Sequence, residues 1–278
     1  MNLEMTVKKK IKTCGVIGLG SMGLPMAKHM KKNGFNVIGF DINEESIEKA
    51  KLLGLQISSS IKYIGEESDL VLIMVQTDQQ VKDIILGGDG LLQTLKQGAI
   101  ICIASSVSPF ICRELEVLTK EKGIGLLDTP VCLGQQAADN GTLTVFVGGE
   151  EQWFIRAKPV LESFGEKVIL VGGSGVGQIA KTANNLLLWA CITANYEVLT
   201  LAKALEIDVE KLIAGLMHSS GANWSLSRWG KSTGKWSEKD MDVALDLAQQ
   251  VKVPMPLSGL VDQLVKNINQ EKMRDLLK

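Results

Sequence analysis

Short β-rich apolar runs recur from about residue 12 to 171: CGVI, NVIGF, LVLIMV, AIICIA, IGLLD, LTVFV and KVILV, in that order. Longer stretches of mixed polar and apolar character separate them. Such β-rich runs suit strands, and the longer polar-apolar spacers suit helices. That alternation predicts a largely parallel, doubly wound Rossmann-type sheet. LTVFV follows IGLLD through what reads as a loop and not a clear helix, so part of the sheet is expected to be mixed. After Val171 the rhythm changes. The glycine-rich GGSGVG, residues 172–177, leads into a long helical stretch through Ala204, and no convincing strand follows. The expected organisation is α/β: a dinucleotide-type domain over 1–173, then an all-helical domain over 174–278 that begins with a long interdomain helix lining the cleft. The apolar part of that helix, 186–205, carries Thr193, Asn195, Glu197, Thr200 and Lys203, too many polar groups for lipid. It reads as a buried helix.

Composition narrows the class. At 278 residues and 45% hydrophobic, the chain can bury a substantial core. Its 30 Lys and Arg against 31 Asp and Glu leave no basic excess to hold a phosphate backbone, which argues against nucleic acid as a partner. The N-terminal MNLEMTVKKKIKTCG lacks the apolar stretch and small-residue cleavage site of a secretory signal, and a cytoplasmic protein without membrane attachment is expected. Cys14, Cys102, Cys112, Cys132 and Cys191 are widely spaced and form no CxxC pair, with only His29 and His218 to assist. Reduced thiols and no metal site follow. Four of the five read as small core residues.

The chemistry concentrates first at Gly18-x-Gly20-x-x-Gly23, directly after the first strand and before a helix. Gly18 suits a tight turn, Gly20 a close approach of backbone to a pyrophosphate, and Gly23 close helix packing. Leu19, Ser21 and Met22 complete the cradle at a helix N-terminus. Asp41, at the end of the second strand, is placed to accept hydrogen bonds from ribose hydroxyls, which favours NAD over NADP. It also reads as a capping residue before Asn43-Glu44-Glu45. The 172–177 glycines read either as close contacts to a nicotinamide or substrate, or as a helix-entry turn. Lys181, Asn184 and Asn185 fall at i, i+3 and i+4 and share one helix face. That pattern suits a proton-exchanging lysine with substrate-orienting amides, and equally a solvated helix face.

Four separated motifs, in order, resemble the 3-hydroxyisobutyrate dehydrogenase (β-hydroxyacid dehydrogenase) family across nearly the whole chain. They are GVIGLGSMGLPMA, DTPVCLGQQAADNGTL, GQIAKTANN and KDMDVALDLA. The resemblance implies a dehydrogenase or reductase that interconverts a small acid-bearing alcohol and its aldehyde, in a homo-oligomer. It implies that Lys181 is the general acid/base, that Asn185 and its neighbour Asn184 meet the substrate, and that Lys239 reaches the cofactor, with Asp240 a structural neighbour. Val75 and Gln76 fall at a further cofactor-contact turn. Ser106 matches a small hydroxyl residue beside the nicotinamide, or caps a loop.

Two departures bear on substrate. Where the family usually has Ser-Gly-Gly, this chain has Cys132-Leu133-Gly134, which brings bulk and a weaker donor to the substrate's acid group. Cys132 also reads as a packed small residue. Family members that reduce sulfolactaldehyde or succinic semialdehyde depart at the same place, and VPMPL at 253–257 resembles theirs. The stretch 224–239 is shorter than the family norm. Its Trp224, Trp229 and Trp236 read as a lid or as packing anchors. Rival readings are an imine reductase, which typically lacks the lysine, and a catalytically silent NAD-binding protein.

Overall fold

The computed structural model describes residues 10–231, 234 and 236–278. The N-terminal stretch read for a signal lies largely outside them, as do parts of the tryptophan-rich segment. The chain divides into two compact units, one ending at Lys181 and one spanning Thr182–Lys278.

The first unit is built on a sheet of β1 (Thr13–Ile17), β2 (Asn36–Phe40), β3 (Gln56–Ile57), β4 (Leu70–Ile73), β5 (Ile100–Ile103), β6 (Gly125–Asp128), β7 (Val131–Cys132), β8 (Leu143–Gly149) and β9 (Gly165–Gly172). Strand order is β3-β2-β1-β4-β5-β6-β8-β7, with β9 on the other side of β8. From β3 to β6 all pairings are parallel, and order reverses between β1 and β4, as in a dinucleotide-binding sheet.

Strand periodicity explains why the runs are apolar throughout. In β4, Leu70 and Leu72 join one buried cluster while Val71 and Ile73 join another, and β5 divides Ile100 and Cys102 from Ile101 and Ile103 in the same way. Helices on both faces cover both sets. These are α1 (Gly23–Lys32), α2 (Glu44–Leu52), α3 (Ile61–Glu67), α4 (Asp78–Leu86), α5 (Leu91–Thr94), α6 (Pro109–Glu121), α7 (Gly134–Asn140) and α8 (Glu151–Leu161). Four of the eight start on a side-chain cap, with Asn43, Ser60 and Ser108 accepting from the first turn and Thr77 forming a capping box with Gln80.

The sheet is mixed where expected, because β8 runs antiparallel to β6 and β7. The segment before it is nevertheless a helix, α7, and not a loop. Seven residues are too few to show an apolar period. The helix is bracketed instead by left-handed backbone at Leu133 and Gly141, and it buries Ala137 and Ala138.

Helix α9 (Val176–Ala204) runs from the first unit into the second, joined there by α10 (Val209–Leu216), α11 (Trp224–Ser227), α12 (Ser237–Gln250), α13 (Pro256–Val265) and α14 (Gln270–Asp275). The second unit's core gathers Trp189, Ile192, Leu199, Leu226, Trp229, Met241, Val261, Val265 and Met273. Helix α9 is not buried all round. Leu187, Val198 and Leu201 are exposed, so its apolar residues serve two faces and only one of them is the core. Among the described residues no helix is long and apolar enough to cross a membrane. All five cysteines are thiols.

Candidate active site

Gly18, Asp41, Val75, Ser106 and Asp128 sit at or just beyond the carboxyl ends of β1, β2, β4, β5 and β6. Open parallel sheets bind their ligands along that edge. The five positions come from well-separated parts of the chain, and parallel pairing alone aligns them.

At the glycine turn the backbone explains the residue types. Gly18 holds φ +94°, its N–H donates to the Phe40 carbonyl at 2.9 Å, and a side chain there would strike the Met74 carbonyl. A side chain on Gly23 would strike the carbonyl of Gly18, whereas Gly20 is exposed and faces open space. No side chain caps α1, and Ser21 and Met22 stand at its start. That leaves N–H donors and the positive end of the helix dipole beside the open turn, which fits a dinucleotide pyrophosphate.

Asp41 is tied to the turn directly. Its Oδ2 accepts the Leu19 N–H at 2.6 Å and its Oδ1 the Asn43 N–H at 2.8 Å. The cap of α2 is Asn43, which accepts from Ser46. Each Asp41 oxygen keeps lone-pair capacity for a ribose hydroxyl.

The second pair of turns is cross-linked. The Val75 N–H donates to Ser105 Oγ at 2.8 Å, and the Gln76 N–H to Gln80 Oε1 at 2.9 Å. The buried hydroxyl is Ser105, and the nominated Ser106 beside it is half-buried.

The substrate motif opens on Asp128, which is fully buried. Its Oδ1 accepts the Gly175 N–H at 2.7 Å and its Oδ2 the Gln178 N–H at 2.8 Å, so it caps the start of α9 from a different part of the chain. Burial pushes its carboxyl above the usual carboxylate range, while these backbone donors pull the other way. Gly148 and Gly177 are glycines because a side chain at either would run into this carboxylate. Of the 172–177 glycines, Gly175 and Gly177 lie against Asp128 at the entry to α9.

Cys132 is buried and lies opposite Thr144 on β8. Leu133 is held at φ +82°, in the left-handed region where glycine is at ease, with its side chain exposed, and Gly134 follows at φ +72°. Gln135 Nε2 donates to the Ser21 carbonyl at 2.7 Å, joining α7 to the glycine turn.

Lys181 is half-buried, one turn after Gln178. In the second unit, Asn185 is buried and accepts from Asn184 at 3.1 Å. Lys239 is exposed on the first turn of α12, and the adjacent Asp240 accepts from Trp189 Nε1 at 3.1 Å, which ties α12 to α9. Trp229 is buried with its Nε1 on the Met273 carbonyl, a packing anchor. Trp224 lies under the Arg228 guanidinium, and Trp236 is exposed.

The first unit therefore gathers the glycine turn, Asp41, Val75, Ser106, Leu133 and Lys181, while Asn184, Asn185 and Lys239 fall in the second. Sequence reasoning passed over Ser105, Asp128 and Gln178. Their one signal was polarity inside apolar or glycine-rich segments.

Fold and edge residues together define a nicotinamide-dependent oxidoreductase with a helical second unit. Residues 13–173 match the model for the NAD binding domain of 6-phosphogluconate dehydrogenase, and 175–276 that for the NAD-binding domain of NADP-dependent 3-hydroxyisobutyrate dehydrogenase. A probable mitochondrial 3-hydroxyisobutyrate dehydrogenase of Dictyostelium discoideum is 32% identical over 95% of this chain and 87% of its own. An NAD-dependent L-serine dehydrogenase of Pseudomonas aeruginosa is 32% identical over 92% of each. The structure of Mycobacterium tuberculosis 3-hydroxyisobutyrate dehydrogenase with L-serine superposes with a TM-score of 0.86 at 25% identity, covering 96% of this chain and all of that one. The chain belongs to the 3-hydroxyisobutyrate dehydrogenase family and is an NAD-dependent dehydrogenase acting on a CH–OH group.

Proposed function

We propose that the protein interconverts a small β-hydroxyacid-type alcohol and its aldehyde, with Lys181 as the general acid/base. The observation that carries this reading is that the helix turn leading to Lys181 is bonded to the end of β6 and to the loop after β5, on the same carboxyl edge of the sheet as the glycine turn and Asp41. The division of labour we propose is cofactor binding by residues 1–173 and substrate binding and oligomerisation by 174–278. The boundary between the two family-model matches supports it.

NAD, when bound, accepts or supplies the hydride. In the proposed scheme the Gly18–Gly23 turn, with Leu19, Gly20, Ser21 and Met22, holds the pyrophosphate. Asp41 takes the ribose and disfavours a 2′-phosphate, and Val75, Gln76, Ser106 and Lys239 complete the cofactor contacts. Lys181 gives a proton to the carbonyl oxygen in reduction and takes one from the hydroxyl in oxidation, exchanging it afterwards with solvent. Asn184 and Asn185 orient the reacting oxygen, and Cys132, Leu133 and Gly134 face the acid group.

A second reading within the family, a semialdehyde or sulfolactaldehyde reductase, is favoured by Leu133. A branched residue held in left-handed backbone costs about 1–2 kcal/mol relative to glycine, and such strain concentrates at functional positions. Consumption of NADH over a panel of three- to five-carbon semialdehydes, one of them sulfonated, distinguishes the readings. Preference for a 3-oxo carboxylate supports the β-hydroxyacid reading, and preference for a longer semialdehyde or for the sulfonate supports the second. No turnover of any member would leave a silent NAD-binding protein.

A further inference from the structure

The turns nominated for the cofactor and the turn that carries Lys181 are joined by one buried polar bracket, to which the chemistry above gives no part. Ser105 Oγ receives the Val75 N–H, and the Ser105 carbonyl accepts from Gln178 Nε2 at 2.8 Å. Gln178 Oε1 accepts the Val107 N–H at 3.2 Å, so one carboxamide grips the loop after β5 on both sides of Ser106. The Gln178 backbone is held in turn by Asp128. All of these side chains are buried.

We propose that Asp128 and Gln178 are positioning residues for Lys181: together they lock the first turn of α9 to the loops after β4 and β5 and so set the distance from the lysine to the reacting carbonyl. The inference rests on the acid/base reading of Lys181.

Three observations support it. Lys181 follows Gln178 by three residues, which sets it about 4.5 Å further along the helix and on a neighbouring face. The cap comes from afar although a local one was at hand. Ser174, just before the helix, is buried with an Oγ that has no hydrogen-bond partner among the described residues, whereas Asp128 reaches in from 47 positions earlier. A local cap satisfies a helix end, but a remote one also fixes the helix to the sheet. Finally, glycine at both 148 and 177 keeps room for this carboxylate, so two further positions are committed to the same device.

The test uses the full chain, the panel aldehyde that it reduces fastest, and the variants Asp128→Asn, Gln178→Met and Lys181→Ala. Asparagine keeps the shape of aspartate but turns an NH2 toward one of two N–H donors, and methionine removes both side-chain bonds of Gln178. Misplacement on the order of 1 Å lowers rate by about a hundredfold. Each positioning variant should lower kcat roughly ten- to hundredfold per NADH-binding site and raise the isotope effect on kcat with 4-deuterated NADH. NADH affinity, read by nicotinamide fluorescence, should stay within about threefold, and the double variant should lose less than the product of the single losses. An unchanged kcat per site and isotope effect, with only a lower unfolding temperature, would make the bracket merely structural and overturn the proposal. If Asp128→Asn does not fold, Gln178→Met decides. An inactive Lys181→Ala beside full-rate positioning variants overturns the positioning alone, whereas an active Lys181→Ala overturns the acid/base reading.

Discussion

At the scale of single residues the site separates those that act on ligand from those that hold others in place. Lys181 belongs to the first kind, and its removal should cost what general acid–base catalysis is worth. Lys181→Ala should lower kcat by about 10²- to 10⁴-fold while NADH still binds with near-native affinity in a fluorescence titration. Wild-type turnover would remove the assignment. Asp41 does two jobs at once, because the carboxylate that bonds the Leu19 N–H is also the proposed ribose acceptor. Asp41→Asn keeps one acceptor for the turn but withdraws the charge that repels a 2′-phosphate. The ratio of NAD to NADP efficiency should fall at least tenfold, read from kcat/KM with each cofactor. An unaltered ratio would mean that the carboxylate serves the turn alone.

At the scale of elements, some joints in this fold are made at the ends of strands and helices. The start of α9 is the clearest case: β6 supplies the cap, β8 supplies Gly148, and α9 supplies Gly177, three segments meeting around one carboxylate. A methyl group at 177 would sit 2.6 Å from Asp128 Oδ2 and 2.9 Å from the Gly148 nitrogen, atoms with no freedom to retreat. Gly177→Ala should therefore destabilise the protein by about 2 to 4 kcal/mol in urea unfolding, against the roughly 1 kcal/mol gained where alanine fits a helix. A neutral or stabilising result would show that the cap can slip aside. Helix α7 shows the same habit at smaller scale. It is stopped at both ends by left-handed residues and anchored to α1's turn through Gln135.

On the scale of the whole molecule, α9 presents an apolar face to the outside. Leu187, Ala194, Val198 and Leu201 recur at spacings that keep them within one narrow stripe, with Leu205 just past the helix end, and Leu187, Leu201 and Leu205 are 69%, 61% and 62% exposed. We propose that this apolar stripe is where copies of the chain associate. The double variant Leu201→Glu, Leu205→Glu should sediment as a monomer where the parent does not. Parent and variant sedimenting alike would refute that use of the stripe.

The sequence by itself determined the strand runs, the glycine turn and the change from α/β to all-helical near residue 173. Each of these is local: buried parallel strands must be apolar throughout, and Gly18 must be glycine because its own backbone is left-handed. The motifs likewise carried the family, since GQIAKTANN and its partners keep their residues and order without reference to contacts. Helix α7 was hidden because seven residues set no period. Ser105, Asp128 and Gln178 were hidden for a different reason. A polar residue inside an apolar run carries no mark of its partner, and the partner of Asp128 lies 47 positions on, across three strands and two helices. Only tertiary structure decides which distant N–H groups reach a buried carboxylate, because the cost of burying it is repaid by neighbours that the chain order does not name.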